Sequence, residues 1–321
     1  MVDSDDRELE KLGLSLRKVL DRHGYGLQYA AIKEAERAFQ ETRTWCFEVA
    51  ELPVRVREGC ETKIDFILRH GSVYIVAECK RANPALRNWN FVRAPYVRRN
   101  RSHEPFFVER VGVHSMLPPV SPSDVSVGAT GGILDFDIRE KAYHLAIETR
   151  SPEKGDDKGS GRGAIEGACT QVCRGVSGVV ELIASHPGLC RELRRPRLIG
   201  GAERMEVIIL IPLIITTARI FTTDADLSQS SLAEGTLSSA LPPMKEEPWV
   251  FYQYHRSPGV RHSSPIPEDG GVLAQRLLAQ QPFSLAGHSL AELLDREYVR
   301  TIPVVNAKSF RVFLERFRWW P

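Results

Sequence analysis

The sequence predicts an α/β protein in which helices flank a mixed central β-sheet. Residues 62–68 and 73–80 alternate apolar and polar side chains, as half-buried strands do. Residues 207–215 form a nine-residue apolar run, which is too short for a membrane span and is typical of buried strands. Pro212 lies inside this run and predicts two strands, broken at the proline. Residues 27–40 and 164–185 carry apolar residues at helical spacing. These segments supply both the strands and the helices of the expected fold.

The first 57 residues are expected to form two helices and a strand. Residues 5–21 form the first helix, and residues 27–40 form the second, whose apolar stripe includes Glu36. An acid on the buried side of a helix is costly unless it has a partner, so Glu36 is either a site residue or the partner of an arginine. In the following strand, residues 46–57, the apolar residues move from odd-numbered to even-numbered positions, which indicates a β-bulge near Glu51.

The next two strands are predicted to form a hairpin that gathers charged residues. If Leu68 pairs with Val73, a four-residue loop connects the strands and both apolar faces point to the same side. Asp65 and Glu78 then become diagonal neighbours, about 7–8 Å apart, and Lys80 shares the face of Glu78. Two carboxylates across such a gap can hold a divalent cation, with oxygens about 2.0–2.1 Å from Mg²⁺.

The spacing of Asp65, Glu78 and Lys80 resembles the PD-(D/E)xK nuclease superfamily, whose members share a restriction-endonuclease-like core. The literal proline–aspartate pair is replaced here by Ile64-Asp65. The resemblance implies that Asp65 and Glu78 bind Mg²⁺ or Mn²⁺, together with the carbonyl of Cys79, and that Lys80 assists the attacking water. Such a metal neutralises phosphate charge and lowers the pKa of its water. The alternative is an ordinary strand pair with an acidic edge and an incidental lysine.

The same resemblance implies further site residues outside the hairpin. An additional acidic metal ligand would come from Glu36 on the second helix or from Glu51 on the first strand. Gln171 lies in a stripe of small residues on the 164–185 helix and fits the glutamine that some branches of the superfamily carry after the ExK strand. A glutamine satisfied within a helix–sheet interface is the alternative.

A basic segment begins at the lysine of the motif. Residues 80–101 hold seven Lys and Arg and no acid, interleaved with aromatic residues. Cations and aromatic rings beside a metal site are suited to a phosphate backbone and unstacked bases, whereas a solvated loop is the alternative. The residues expected to contact nucleic acid are Arg81, Arg87, Trp89, Arg93, Arg98, Arg99 and Arg101.

The expected organisation is a nuclease-like core over residues 1–220, with an insertion at about residues 81–160. Residues 221–321 form a C-terminal extension of further strands and helices packed on the same core. A second Asp-to-Glu pattern ends in Arg150 instead of lysine, and we interpret it as a decoy because arginine does not release its proton.

Composition limits the protein's class and compartment. The hydrophobic content is 42% and the net charge is only +2, so the chain is not globally basic. The acidic N-terminus predicts no signal peptide, and six scattered cysteines favour reduced thiols in the cytoplasm. A homodimer is compatible with the sequence, and no membrane partner is expected.

The functional prediction is a Mg²⁺-dependent phosphodiesterase, an endonuclease acting on nucleic acid in restriction or defence, with DNA the favoured substrate and RNA the alternative. The alternative is a non-catalytic module that binds nucleic acid or another partner on a nuclease-like fold, because a fold does not fix a function.

Overall fold

The structure is a computed structural model. It describes residues 2–22, 24–56, 61–83, 85–93, 106–116, 125–134, 142–149, 163–185, 197–199, 203–224, 230–231, 233–234, 236–237, 243–255 and 298–317.

Helices and strands follow the predicted order over most of these residues. The helices are α1 (Val2–Arg22), α2 (Tyr25–Thr42), α3 (Gly163–Ser185) and α4 (Phe310–Arg316). The strands are β1 (Cys46–Arg55), β2 (Glu61–His70), β3 (Val73–Lys80), β4 (Asn88–Val92), β5 (Phe106–Met116), β6 (Val125–Leu134), β7 (Ala142–Tyr143), β8 (Leu145–Thr149), β9 (Arg197–Ile199), β10 (Glu203–Thr216), β11 (Arg219–Thr223), β12 (Ser230–Ser231), β13 (Thr236–Leu237), β14 (Lys245–Glu247), β15 (Trp249–His255) and β16 (Val299–Asn306).

Within the described residues, ten strands form one mixed sheet. Its main path runs β1-β2-β3-β10-β16-β15-β7, and β5, β6 and β9 join through the first half of β10. The strands β1, β2 and β3 are antiparallel to one another, whereas β10 runs parallel to both β3 and β16. The predicted α/β class with a mixed sheet flanked by helices is confirmed.

The central strand β10 runs unbroken through Pro212, so the predicted break at this proline is wrong. The N–H of Ile209 donates to the carbonyl of Ser72 at 2.9 Å, on the β3 side. Because successive residues of a strand point their N–H groups to opposite sides, the backbone nitrogen of residue 212 points away from β3. There the pairing with β5 ends at Leu210 and the pairing with β16 begins at Ile214. Because Pro212 falls between these two ladders, its missing N–H removes no ladder bond.

The main sheet is covered on both faces. On one face α3 packs Ile165, Val172 and Val176 into a core with residues such as Val76 and Leu210. On the other face α2 and α4 pack over a second core, whose members include Ile32, Ala35, Phe66, Ile75, Phe310 and Phe313. The sheet therefore separates two apolar layers, and charged residues within it must lie near strand ends or have partners.

The segment after Lys80 contributes strands to the main sheet and to a second, four-stranded sheet. Strands β5, β6 and β7 belong to the main sheet, while β4 and β8 form a four-stranded sheet with β11 and β14. From the C-terminal part, β15 and β16 lie in the main sheet. The proline, serine and glycine of residues 117–132 predict a loop, but residues 125–134 form strand β6, because they pair along their length with β5.

None of the helices in the described part of the chain is both long and apolar enough to cross a membrane.

Candidate active site

The hairpin of β2 and β3 has a tighter turn than predicted. His70 pairs with Val73, so only Gly71 and Ser72 connect the strands. Gly71 adopts φ 62°, which suits a two-residue loop with positive φ at its first position. The predicted pairing of Leu68 with Val73 is therefore wrong by two residues, because the two-residue turn matches the twist of the strands better than a four-residue loop does.

The corrected register brings the two acids level with each other. The ladder runs to Phe66 and Ala77, and continuing it by one residue places Asp65 opposite Glu78. Directly opposite residues lie on the same face of a sheet and are closer than diagonal ones. The charge of Asp65 contributes to raising the pKa of Glu78, so the two carboxylates are close enough to interact electrostatically.

The two strands part beyond this level. Strand β3 continues beside β10 as far as Lys80, and β2 continues beside β1. In the opening, the Asp65 carboxylate accepts a hydrogen bond from the backbone N–H of Cys79, with 2.7 Å between Oδ2 and nitrogen. At the end of the hairpin the Asp65 side chain, instead of a backbone carbonyl of β2, therefore accepts the hydrogen bond from β3.

In both β1 and β2 the regular alternation of side chains between the two faces of the sheet is interrupted near this level. Ile64 and Ile67 pack in the same core although they are three residues apart, and so do Val49 and Leu52. Between the latter two, Glu51 has φ 57°, in the left-handed region that non-glycine residues seldom adopt. The predicted change of parity near Glu51 occurs, but the ladder's register shift lies earlier, between residues 47 and 49. Such backbone outliers are common at functional sites.

A glutamine on α2 connects the acidic residues. Gln28 is 4% exposed; its Nε2 donates to Oε1 of Glu51 at 2.5 Å and to the backbone carbonyl of Asp65 at 2.8 Å. Sequence reasoning missed this residue. The available signal was its helical spacing to the buried Ala31, Ile32 and Ala35.

The Glu51 carboxylate already has partners for both oxygens. Lys63 forms an ion pair with Oε2, and its ammonium lies 5.3 Å from the centre of the Tyr25 ring. Burial alone would raise the pKa of Glu51, but the hydrogen bonds from Lys63 and Gln28 hold it below its ordinary value. Glu51 is thus brought next to Asp65 as an ionised, hydrogen-bonded group, which suits a positioning role as well as the predicted role of ligand.

The pKa values of Glu78 and Asp65 are both raised above their ordinary values. Glu78 is 4% exposed, and burial together with the charge of Asp65 raises its pKa to about 8, although Lys80 lowers it. Burial also raises the pKa of Asp65, against the hydrogen bond from Cys79 and the charges of Lys63 and Lys80. A buried acid beside a half-buried one, both with raised pKa values, is a favourable environment for an added cation.

Lys80 ends β3 on the face that carries Glu78, since residues two apart on a strand point the same way. It is half-buried and pairs with Thr216 at the end of the parallel strand β10. Its carbonyl accepts a hydrogen bond from the N–H of Thr217 at 3.4 Å. The three residues that carry the sequence motif therefore meet at one end of the hairpin.

Glu36 is not part of this group. It is exposed on α2 and lines a surface pocket with Lys33 and Arg37. The prediction that Glu36 lies on the buried side is wrong, because the buried face of α2 is made chiefly of alanines: Ala31, Ala35 and Ala38.

Helix α3 lies close to the sheet, as its small residues predict. A Cβ on Gly175 would come within 3.1 Å of Cγ1 of Ile64 and 3.3 Å of Cγ1 of Val76. Gln171 is half-exposed one turn earlier on the same stripe. A contact between its amide and the acids stays a prediction.

The basic segment is only partly available to a ligand. Arg81 is exposed and donates to the carbonyl of Asp21 at 2.8 Å; Arg87 is exposed and Arg93 is half-buried. Trp89 is fully buried, so its prediction as a stacking platform is wrong. Its strand β4 lies between β8 and β11, and the ring joins the α3-side core. Arg98, Arg99 and Arg101 lie outside the described residues.

No group of three or more His, Cys, Asp or Glu side chains is placed to hold a metal ion in the described ranges. The site is therefore a two-carboxylate arrangement. Mg²⁺ is commonly bound in this way, since it uses one or two carboxylates and keeps several waters or substrate phosphate oxygens. The donor set of Asp65 and Glu78 fits such an ion.

Comparisons of the chain with family models, with curated proteins and with solved structures found no match in any of the three.

Proposed function

We propose that the protein is a Mg²⁺- or Mn²⁺-dependent phosphodiesterase of the PD-(D/E)xK type, an endonuclease acting on nucleic acid, with DNA as the favoured substrate. The observation that carries this proposal is the level arrangement of Asp65 and Glu78 at the open end of the hairpin. Lys80 lies two residues beyond Glu78 on the same face. A role in restriction or defence follows from the resemblance of this motif to restriction enzymes.

The two acids would hold the metal, which supplies charge neutralisation at the phosphate and a bound water of lowered pKa. Asp65 is oriented by the Cys79 N–H and by the Gln28 contact to its own backbone. Glu78 contributes a carboxylate in a dry environment, where its attraction for a cation is strong. The carbonyl of Cys79 is the further ligand that the resemblance implies.

Lys80 would act beside the metal. Its ammonium can stabilise the charge that develops on the phosphate, or its amine can accept a proton from the attacking water. Arg81 and Arg87 follow on the exposed surface and would contact the nucleic-acid backbone, where cationic side chains provide most of the affinity.

Cleavage of a supercoiled plasmid tests this function. The wild-type chain should cleave with Mg²⁺ and not with EDTA, whereas Asp65→Ala and Lys80→Ala should lose about a hundredfold or more of the rate. Glu34→Ala, at a half-exposed position of α2, is the control and should cleave like the wild type. Equal cleavage by all four proteins would refute the proposal.

A non-catalytic binding module is the second candidate, favoured because no group of three or more His, Cys, Asp or Glu side chains in the described residues is placed to hold a metal ion. Calorimetric titration separates the two functions. Saturable Mg²⁺ or Mn²⁺ binding that Asp65→Asn abolishes supports the enzyme, while binding of DNA without any metal site supports the module.

A further inference from the structure

The carboxyl ends of three neighbouring strands form an edge beside Asp65 and Glu78. Strand β3 ends at Lys80, β10 at Thr216 and β16 at Asn306. The three strands are parallel, and the register pairs Thr216 with Lys80 on one side and with Asn306 on the other. Because neighbouring strands lie about 4.8 Å apart, the backbone at Asn306 is about 10 Å from that at Lys80. In open α/β sheets, ligands bind outside the carboxyl ends of such strands.

A turn that is fixed to this row carries Lys308. The side chain of Asn306 accepts a hydrogen bond from the backbone N–H of Lys308, with 3.0 Å between Oδ1 and nitrogen. The same side chain donates from Nδ2 to the carbonyl of Ala218 at 2.6 Å. The turn after β16 is therefore tied to the segment that leaves β10, and Lys308 is exposed on it.

Helix α4 begins close to the level of the acids. The ring of its first residue, Phe310, packs edge-on against Phe66, with 6.4 Å between the ring centres. Phe66 is the neighbour of Asp65 in β2. Lys308 precedes Phe310 by two residues, so this ring contact and the row of strand ends both place Lys308 near the end of the sheet that holds the acids.

Further cations lie along the same edge. Arg87 and Arg219 are exposed, and the backbone N–H of Arg219 donates to the carbonyl of Arg87 at 2.7 Å. With Lys80 and Lys308 they form a basic edge. Arg219 holds Glu246 through both carboxylate oxygens, at 3.0 and 2.6 Å. This hydrogen bonding, together with the charge of Lys308, holds the pKa of Glu246 below its ordinary value. The negative charge beside Lys308 is thus already matched by an arginine, which suits the basic edge to a polyanion.

We propose that the backbone of the nucleic-acid substrate lies across this basic edge, with Lys308 binding one of its phosphates. The inference rests on the proposed function and adds a substrate contact from the C-terminal part of the chain. A cation at a phosphate gains affinity by releasing condensed counterions. The separation of about 10 Å between the strand ends equals about three steps of 3.4 Å along one nucleic-acid strand. The phosphate at Lys308 therefore lies about three nucleotides from the scissile one.

Binding of a fluorescein-labelled DNA duplex in EDTA, measured by anisotropy over a range of salt concentrations, tests this contact without cleavage. Lys308→Gln should weaken binding about fivefold near 0.15 M salt, and it should make the dependence of log K on log salt shallower by about 0.9. Lys308→Arg keeps the charge and should bind within about twofold of the wild type.

Lys33→Gln is the matched control, because it removes the same charge from another exposed lysine. Lys33 lines a surface pocket with Cys46 and Phe47, which pair with β2 next to the hairpin turn, at the opposite end from the acids. Its replacement should leave the affinity within about twofold and the salt dependence unchanged. Circular dichroism confirms that all variants are folded.

Wild-type affinity and salt dependence in Lys308→Gln would overturn the inference. Equal losses in Lys308→Gln and Lys33→Gln, or a wild type that does not bind the duplex, would overturn it as well. Plasmid cleavage with Mg²⁺ tests the proposed function separately. A chain that binds DNA through Lys308 without cleaving it keeps the basic edge and loses the nuclease assignment. A chain that cleaves, and whose Lys308→Gln variant binds as the wild type does, keeps only the nuclease assignment.

Discussion

The carboxylate of Asp65 on β2 accepts a hydrogen bond from the backbone N–H of Cys79 on β3. One acid of the candidate site is thereby fixed to the strand that carries Glu78 and Lys80. The placement of the acids depends on backbone geometry as well as on side-chain rotamers, which is the kind of preorganisation that a metal-dependent reaction requires.

Replacing Glu78 by glutamine should stabilise the metal-free protein at high pH. The pKa of Glu78 is raised from an ordinary value of 4.5 to about 8 in the folded chain. As pH rises through this window the unfolded chain ionises first, so the folded state loses stability. Glu78→Gln removes that loss, and its advantage over the wild type should grow from near zero at about pH 4 to on the order of 3 kcal/mol at about pH 9.

Urea unfolding at both pH values, in EDTA, measures this difference. Glu61→Gln replaces an exposed acid on β2 and serves as the control, for which the difference from the wild type should vary little with pH. An advantage of Glu78→Gln that is the same at low and high pH would contradict the raised pKa.

Metal binding should release protons near neutral pH. A cation between Asp65 and Glu78 needs both carboxylates ionised, whereas the raised pKa of Glu78 keeps it largely protonated at pH 7 without metal. Mg²⁺ titrations in two buffers of different ionisation enthalpy should therefore yield different heats. From the slope we expect a release of roughly one proton per ion at pH 7 and much less at about pH 9; identical heats in both buffers at pH 7 would exclude this coupling.

Gln28→Leu should disturb the site from the α2 side. The substitution leaves an oxygen of Glu51 and the carbonyl of Asp65 without their amide donor. We expect a loss of about 1–3 kcal/mol in the free energy of unfolding, together with slower plasmid cleavage. Gln40→Leu, at an exposed position of the same helix, is the control; a Gln28 variant as stable and as active as this control would show that the bridge has no role.

Gly178→Ala should separate α3 from β1. A Cβ at this position would lie 2.3 Å from Cγ2 and 2.5 Å from Cβ of Val54, whereas one at Gly167 would have no atom within 4 Å. Gly178→Ala should destabilise the protein by about 1–3 kcal/mol, and Gly167→Ala should stabilise it by up to about 1 kcal/mol through helix propensity. Thermal and urea unfolding measure both, and equal effects of the two substitutions would contradict the close approach of the helix.

Local patterns predicted much of the fold. Alternation identified β2 and β3, and the spacing of apolar residues identified α1, α2 and α3 within a few residues of their observed ends. The positive φ of Gly71 was also predictable, because glycine permits it without steric cost. These features depend on residues close in sequence, where the period of the pattern fixes the direction of each side chain.

Long-range packing decided what the local patterns could not. Small residues are ambiguous in a hydrophobic pattern, so the alanine face of α2 was missed, and with it Gln28. Trp89 lies within the basic segment and was predicted to contact nucleic acid, but β8 and β11 enclose its strand from positions more than 50 residues away. Likewise, β10 accommodates Pro212 because its pairing with β5 ends before this residue and its pairing with β16 begins after it.

The sequence by itself determined that an Asp, a Glu and a Lys lie on two neighbouring strands, because a hairpin with period-2 alternation leaves few alternatives. Only the tertiary structure decided that Asp65 stands level with Glu78 and that Gln28 and Glu51 support it. Those relationships depend on turn geometry, on a change of face shared by two strands, and on the side of α2 that packs against the sheet. The last two of these are set by contacts between distant parts of the chain.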